Sequence, residues 1–100
     1  MKRRWESEMR QYEIGMLVRS KSGHDHGNVY VIIDVQAEYL YLVDGRIRTL
    51  ANPKKKKMKH VQGIDVVLTD IVTMKQNNTL IDENIKRAIK LYELSLRDKS

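Results

Sequence analysis

The chain has 100 residues, no cysteine and no phenylalanine, and its 19 Lys and Arg outnumber its 13 Asp and Glu, which gives a net charge of +6. This length suits one small domain with an aliphatic core, and the lack of cysteine excludes disulfides and thiolate metal sites. No apolar run reaches membrane-spanning length, and the charged start MKRRWESEMR lacks the apolar segment of a signal peptide, so we expect a cytoplasmic protein with no membrane partner.

The first half of the chain has the pattern of short β-strands. Residues 1–12 are polar and charged, and we interpret them as a flexible N-terminal arm. Residues 13–63 are predicted to form the β unit, whose first strand lies in GMLVRS (15–20), where Leu17 and Val18 follow a glycine. VYVIIDV (29–35) is a β-branched run, and YLYLV (39–43) follows it after a short turn. Runs of this kind, separated by tight turns, are typical of strands.

A hairpin and a final strand complete the predicted unit. Asp44-Gly45 predicts a two-residue hairpin turn, and RIRTL (46–50) alternates as a strand would. Pro53 ends this strand, and the lysines after it are expected to be extended or loop-like. Residues 60–62 are the candidate last strand. Five strands of this length predict a small closed β barrel, because closure removes exposed edges.

Residues 64–100 are predicted to form a C-terminal helical extension. Apolar residues recur at helical spacing over residues 64–76 and again over about 80–97. Asn77-Asn78 separates the two segments. We therefore expect a helical hairpin that packs on the barrel or on itself.

The positive charge is concentrated in one stretch. Residues 46–60, RIRTLANPKKKKMKH, hold seven Lys and Arg and no acid. A solvated loop is one interpretation, and a surface that contacts the phosphates of a polyanion is the other. Arg46 and Arg48 favour the second, because they share one face of the predicted strand. Tyr39 and Tyr41 also share a face, where rim packing is favoured over base stacking.

The stretch SGHDHG places His24, Asp25 and His26 between two glycines. A metal site needs three or four converging ligands, and His60 is the one other histidine of the sequence. We interpret the stretch as a polar turn whose glycines take positive φ, and whose backbone N–H groups contact a phosphate. A metal-binding regulator remains an alternative. The sequence carries no GxSxG, Walker A or HExxH motif, so we do not expect an enzyme.

Residues 14–45, IGMLVRSKSGHDHGNVYVIIDVQAEYLYLVDG, resemble a KOW motif, which has a glycine-led strand, a glycine-bounded loop and an aliphatic strand. The continuation LVDGRIRTLANPKKKKMKH is similar to that of bacterial KOW-domain RNA-binding proteins and of the eukaryotic-type large-subunit ribosomal protein fourteen family. His26 departs from the motif, because a lysine commonly precedes the second glycine. Tyr30 also departs from it, because many members have a third glycine there. The motif positions that match are Gly15, Lys21, Ser22, Gly23, Asp25 and Gly27.

The resemblance implies a five-stranded SH3-like barrel that binds RNA, expected to be ribosomal RNA, without a cofactor, as a ribosomal or ribosome-associated protein. Two alternatives remain: a protein-interaction module that uses the barrel or the helical tail, and the metal-binding regulator. The residues expected to contact RNA lie in the glycine loop and the basic stretch. They are Arg19, Lys21, Ser22, Gly23, His24, His26, Gly27, Arg46, Arg48, Lys54, Lys55, Lys56, Lys57 and Lys59.

Overall fold

The computed structural model describes residues 12–24 and 26–98, so the predicted arm lies outside the described residues except for Tyr12. The described part contains five strands, a short 3₁₀ helix and two α-helices. In chain order these are β1 (Met16–Ser20), β2 (Val29–Gln36), β3 (Tyr39–Val43), β4 (Lys54–Lys57), the 3₁₀ helix (Met58–His60), β5 (Val61–Val67), α1 (Thr69–Gln76) and α2 (Asp82–Asp98). Neither α-helix in this part of the chain is long and apolar enough to cross a membrane.

The five strands form one antiparallel sheet in the order β4-β3-β2-β1-β5. The predicted combination of a five-stranded β unit with helices is therefore confirmed. Within the described residues the hydrogen-bonded ladder is not closed into a ring, because β4 and β5 are the two edges of the sheet. Register shifts occur in the β1–β5 pair opposite Met16–Val18, where β5 has the extra residues, and in β2 between Ile32 and Asp34. Such irregularities bend a strand and increase its twist.

Both faces of the sheet are buried, which explains why β2 is apolar at consecutive positions. Alternate side chains of a strand point to opposite faces. One face packs against the helices and contains Leu17, Val29, Val31, Ile33 and Val43, together with Ile71, Ile85 and Ile89 of the helices. The other face lies inside the bend of the sheet and contains Met16, Val18, Tyr30, Ile32, Leu40, Leu42 and Val61.

The predicted helix over residues 64–76 starts five residues too early. β5 continues through Ile64 to Val67, and α1 begins only at Thr69. A short apolar run is compatible with either a strand or a helix, so the distant pairing partner decides. Here β5 pairs with β1, with Val18 opposite Gly63 and Met16 opposite Val67. The second predicted helix, about 80–97, is confirmed by α2.

Candidate nucleic-acid interface

The glycine loop, residues 21–28, connects β1 to β2 and contains a hydrogen-bonded turn. Gly23 and Gly27 have φ of 82° and 88°, so the predicted positive φ at both glycines is confirmed. The His26 N–H donates to the Gly23 carbonyl at 3.2 Å, and the Gly27 N–H donates to the Ser20 carbonyl at 2.9 Å. These two N–H groups are therefore used inside the turn. Neither group is open to a phosphate while the turn is closed, and the expected phosphate contact of the turn stays a prediction.

The histidines of this loop point to solvent. His24 and His26 are both exposed, while Asp25 lies outside the described residues. No group of three His, Asp or Glu side chains suited to a metal ion occurs within residues 12–24 and 26–98. His60 is half-buried, and its carbonyl accepts the N–H of Lys21 at 2.8 Å. The metal-binding alternative thus gains no set of ligands from the described part of the chain.

Two of the predicted RNA-contacting cations hold the loop from inside the protein. Arg19 Nη1 donates to the Gly27 carbonyl at 2.9 Å. Lys56 Nζ donates to Ser20 Oγ at 2.6 Å and to the Ser22 carbonyl at 2.9 Å. The sequence interpretation treated both cations as surface groups. The structure instead brings them to the two ends of the β1–β2 loop.

The lysine run is the edge strand β4, which is consistent with the extended chain expected for it. In its register with β3, Lys54 and Lys56 lie opposite the buried Leu42 and Leu40, whereas Lys55 and Lys57 lie opposite Tyr41 and Tyr39. Residues opposite each other on paired strands share a face of the sheet. The lysines of the basic stretch therefore lie on both faces of β4. Lys54 and Lys56 lie on the inner face, and Lys55 and Lys57 lie on the tyrosine face.

The tyrosine face of β4 carries a small cation–aromatic cluster. Lys55 Nζ lies 4.3 Å from the centroid of the Tyr39 ring, and Lys57 Nζ lies 5.9 Å from it. A lysine ammonium over a tyrosine face is attracted by the ring quadrupole. Lys57 Nζ also lies 3.9 Å from Glu38 Oε1. Because the lysines occupy the face of Tyr39, a stacked base would have to displace Lys55, which agrees with the expected rim packing.

The predicted hairpin at Asp44-Gly45 and the predicted strand 46–50 are wrong. Residues 44–53 form a loop, and its N-terminal part is closed by the Asp44 side chain. Asp44 Oδ1 accepts the N–H groups of Arg46 and Arg48, each at 2.9 Å. A short carboxylate that bonds nearby N–H groups competes with ladder pairing, which explains the loss of the strand. Ile47, expected on a strand face, is 83% exposed at the tip of this loop.

The loop is attached to the start of α2. The Leu50 N–H donates to Asp82 Oδ1 at 2.8 Å, so the carboxylate at the first residue of α2 holds the loop in place. Arg46 of this loop lies beside α2, where it lines a groove together with Lys86 and Lys90. Arg46 is exposed and Arg48 is half-buried.

A groove of about 810 Å³ separates this loop from α2 and reaches the end of the glycine loop at Gly27 and Asn28. The sequence interpretation missed the charged residues of α2 here, since their helical spacing gave no sign that the groove exists. Cations and acids nearly balance in the lining, and Lys86 Nζ is paired with Glu83 Oε1 at 2.9 Å. The charged lining residues are Arg46, Lys86, Arg87, Lys90, Asp44, Glu83 and Glu93.

The glycine loop thus lies between the lysine strand β4 and the groove beside α2. At Ser22 it contacts β4 through Lys56, and at Gly27 it borders the groove that Arg46 lines. Lys59 is exposed in the 3₁₀ helix that follows β4, and Lys21 is exposed at the start of the loop. Comparisons of the chain with models of known protein families and with curated proteins found no match. The resemblance to the KOW motif accordingly depends on the residues quoted above.

Proposed function

We propose that this chain is a non-enzymatic RNA-binding protein of the KOW type, which docks on structured ribosomal RNA in the cytoplasm as a ribosomal or ribosome-associated protein. One observation carries the proposal. The edge strand β4 presents lysines on its tyrosine face, and Lys56 of the same strand touches the glycine loop. A cationic strand edge beside a loop with exposed residues is suited to the phosphates of a folded RNA.

The proposal includes a fold of the SH3-like barrel type. The order β4-β3-β2-β1-β5 supports it, because β4 and β5 are the strands that barrel closure would bring together. The register shifts in β5 and β2 support it further, since such irregularities bend a strand. Lys56 Nζ of β4 reaches Ser20 Oγ of β1 at 2.6 Å, so the sheet bends far enough for an edge strand to contact a strand three places away in the order.

Docking would depend on charge and shape more than on base sequence. Six predicted cations are at least partly exposed, are not used to hold the glycine loop and do not lie on the inner face of β4. Each phosphate that they neutralise releases counterions, which makes binding steeply dependent on salt. The six residues are Lys21, Arg46, Arg48, Lys55, Lys57 and Lys59.

A pair of charge-matched double variants tests the proposal. Lys55→Gln/Lys59→Gln removes two charges from β4 and the 3₁₀ helix after it, and Lys75→Gln/Arg97→Gln removes two exposed charges from helix positions that do not line the groove beside the glycine loop. Affinity for purified large-subunit ribosomal RNA is measured across salt concentrations. We expect the first variant to bind more weakly, with a slope of log K against log salt that is smaller in magnitude by about 2. The control should keep the wild-type slope, because charges beyond about 8 Å are screened at physiological salt.

Equal losses in the two variants would contradict the proposal, since they would reduce RNA binding to an effect of total charge. A sucrose-gradient profile of cell lysate provides the second readout. The proposal places the wild-type protein in the ribosomal fractions and the β4 variant outside them. If the wild type and the variant both sediment as free protein, outside the ribosomal fractions, the ribosomal part of the proposal is contradicted.

Docking of a protein through the helices is a second candidate function, and a groove of about 730 Å³ between the end of β5, α1 and α2 favours it. Leu91 lines this groove and is 57% exposed, and Leu94 on the same helix is 41% exposed. Leu91→Gln/Leu94→Gln separates the two functions. If the helices bind a ribosomal protein, this variant leaves the ribosomal fractions while its affinity for purified RNA stays unchanged. Unchanged sedimentation would exclude this candidate.

A further inference from the structure

The lysines of β4 differ in what their ammonium groups touch. Lys55 is exposed, and its ammonium lies over the ring of Tyr39. Lys56 is half-buried, and its ammonium contacts the glycine loop. We propose that Lys56 is a positioning residue that holds the glycine loop in its RNA-binding conformation without contacting phosphate itself. This inference rests on the proposed RNA-binding function.

The contact between Lys56 and the loop is a small closed network. Lys56 Nζ donates to Ser20 Oγ at 2.6 Å and to the Ser22 carbonyl at 2.9 Å. Ser20 Oγ in turn donates to the same Ser22 carbonyl at 3.1 Å. Ser20 is 2% exposed, so its hydroxyl is shielded from water. Hydrogen bonds from a charged donor are stronger than neutral ones, and two of the three N–H groups of Lys56 are used here.

The network fixes the end of the loop that Arg19 does not hold. Arg19 Nη1 holds the Gly27 carbonyl, and the Gly27 N–H closes the turn onto Ser20. Without Lys56, the Ser22 carbonyl would lose its charged donor and the loop would sample more conformations. RNA would then have to order the loop on binding, and that ordering lowers affinity.

Lys55 provides a matched comparison, because it is adjacent on the same strand and carries the same charge on the opposite face. Lys55→Met removes a proposed phosphate contact, whereas Lys56→Met removes the donor that holds the loop. The first change should reduce the magnitude of the salt slope by about 1. The second should leave the slope unchanged and weaken RNA binding about tenfold, since the loop loses a charged hydrogen-bond donor.

The experiment combines titration of purified large-subunit ribosomal RNA with amide hydrogen exchange of the protein without RNA. In Lys56→Met we expect the His26 and Gly27 amides to exchange at least about tenfold faster than in the wild type, since a local opening becomes easier. Lys55→Met should leave both rates unchanged. Lys56→Arg, which keeps a charged donor, should restore most of the affinity and of the protection.

Two results would overturn the inference. One is a salt slope in Lys56→Met reduced as much as in Lys55→Met, which would make Lys56 an ordinary phosphate contact. The other is unchanged exchange of the loop amides. If Lys56→Met does not fold, Ser20→Ala removes one of the two acceptors, and unchanged exchange in that variant overturns the inference equally. Because the exchange is measured without RNA, failure of the proposed function appears separately, as an absence of RNA affinity in the wild type.

Discussion

Replacing Gly45 by alanine should destabilise the fold strongly, because this glycine lies between the basic loop and α2. Gly45 has a φ of +79°, which an L side chain adopts only with strain. A Cβ atom there would lie 2.5 Å from the Asp82 carbonyl oxygen and 2.8 Å from the Lys86 nitrogen. Both atoms belong to the backbone of α2, so neither can move aside as the end of a side chain would.

The expected size follows from these two effects. A positive φ costs a non-glycine residue about 1–2 kcal/mol. Crowding of a packed region adds about 1–3 kcal/mol. Gly45→Ala should therefore lower the free energy of unfolding by about 2–5 kcal/mol. Gly27 separates the two effects, because its φ is +88° but, among the described residues other than its chain neighbours, no heavy atom lies within 4 Å of the added Cβ. Gly27→Ala should cost only the backbone part, about 1–2 kcal/mol.

Urea unfolding followed by circular dichroism measures both losses. If the slope of the unfolding free energy against urea concentration is unchanged in each variant, the shift in its midpoint reports the change in stability. The result that supports the reasoning is a loss in Gly45→Ala that exceeds the loss in Gly27→Ala by at least about 1 kcal/mol. Equal losses in the two variants would refute the steric argument. They would mean that the 44–50 loop is not packed against α2 as closely as described.

Three further predictions concern the core, the surface of α2 and the dependence on pH. Ile85→Ala should lower the free energy of unfolding by about 2–5 kcal/mol, because Ile85 is completely buried between α2 and the sheet. Leu91→Ala on the exposed side of the same helix should change it by less than about 0.5 kcal/mol, and equal midpoint shifts in urea for these two variants would contradict the assigned orientation of α2. Burial raises the pKa of the Tyr12 hydroxyl above its ordinary value of 10.0. The folded state therefore favours the neutral phenol, so its stabilising effect is complete below pH 10 and is lost as the pH rises through the raised pKa. Tyr12→Phe, which also removes the 3.3 Å bond to the Val61 carbonyl, should show a shallower loss of stability above pH 10, and identical pH profiles would count against the buried position of Tyr12.

The elements that could be predicted from the sequence are those whose own residues determine their structure. β2 is a β-branched run between two turns, and the glycines before it take positive φ as expected. α2 was predicted because its apolar residues keep one period over four turns. In both elements the local pattern and the final packing agree, which is typical of segments with a single stable conformation.

The elements that could not be predicted depend on distant partners or on a single side chain. Ile64 and Val67 fit a helical period, but pairing with β1 makes them part of a strand. RIRTL (46–50) alternates as a strand does, but the Asp44 carboxylate takes its N–H groups and closes a loop. Neither the pairing register nor the competing acceptor is visible in residue spacing.

The same limit applies to the candidate site. Lysines 54–57 were identified as one cationic stripe, and their extended conformation is consistent with the sequence. Which lysine lies on which face depends on the register between β3 and β4. That register directs Lys56 to the glycine loop and Lys55 to Tyr39, so four identical residues have different surroundings.

The salt dependence of RNA binding tests the central claim most directly. Wild-type protein is titrated with purified large-subunit ribosomal RNA at several salt concentrations, and log K is plotted against log salt. If the six cations proposed to contact RNA each neutralise about one phosphate, the slope should be about −4 to −6. A slope near zero, or no measurable affinity at the lowest salt concentration, would contradict the claim and leave the lysines of β4 as a solvated edge.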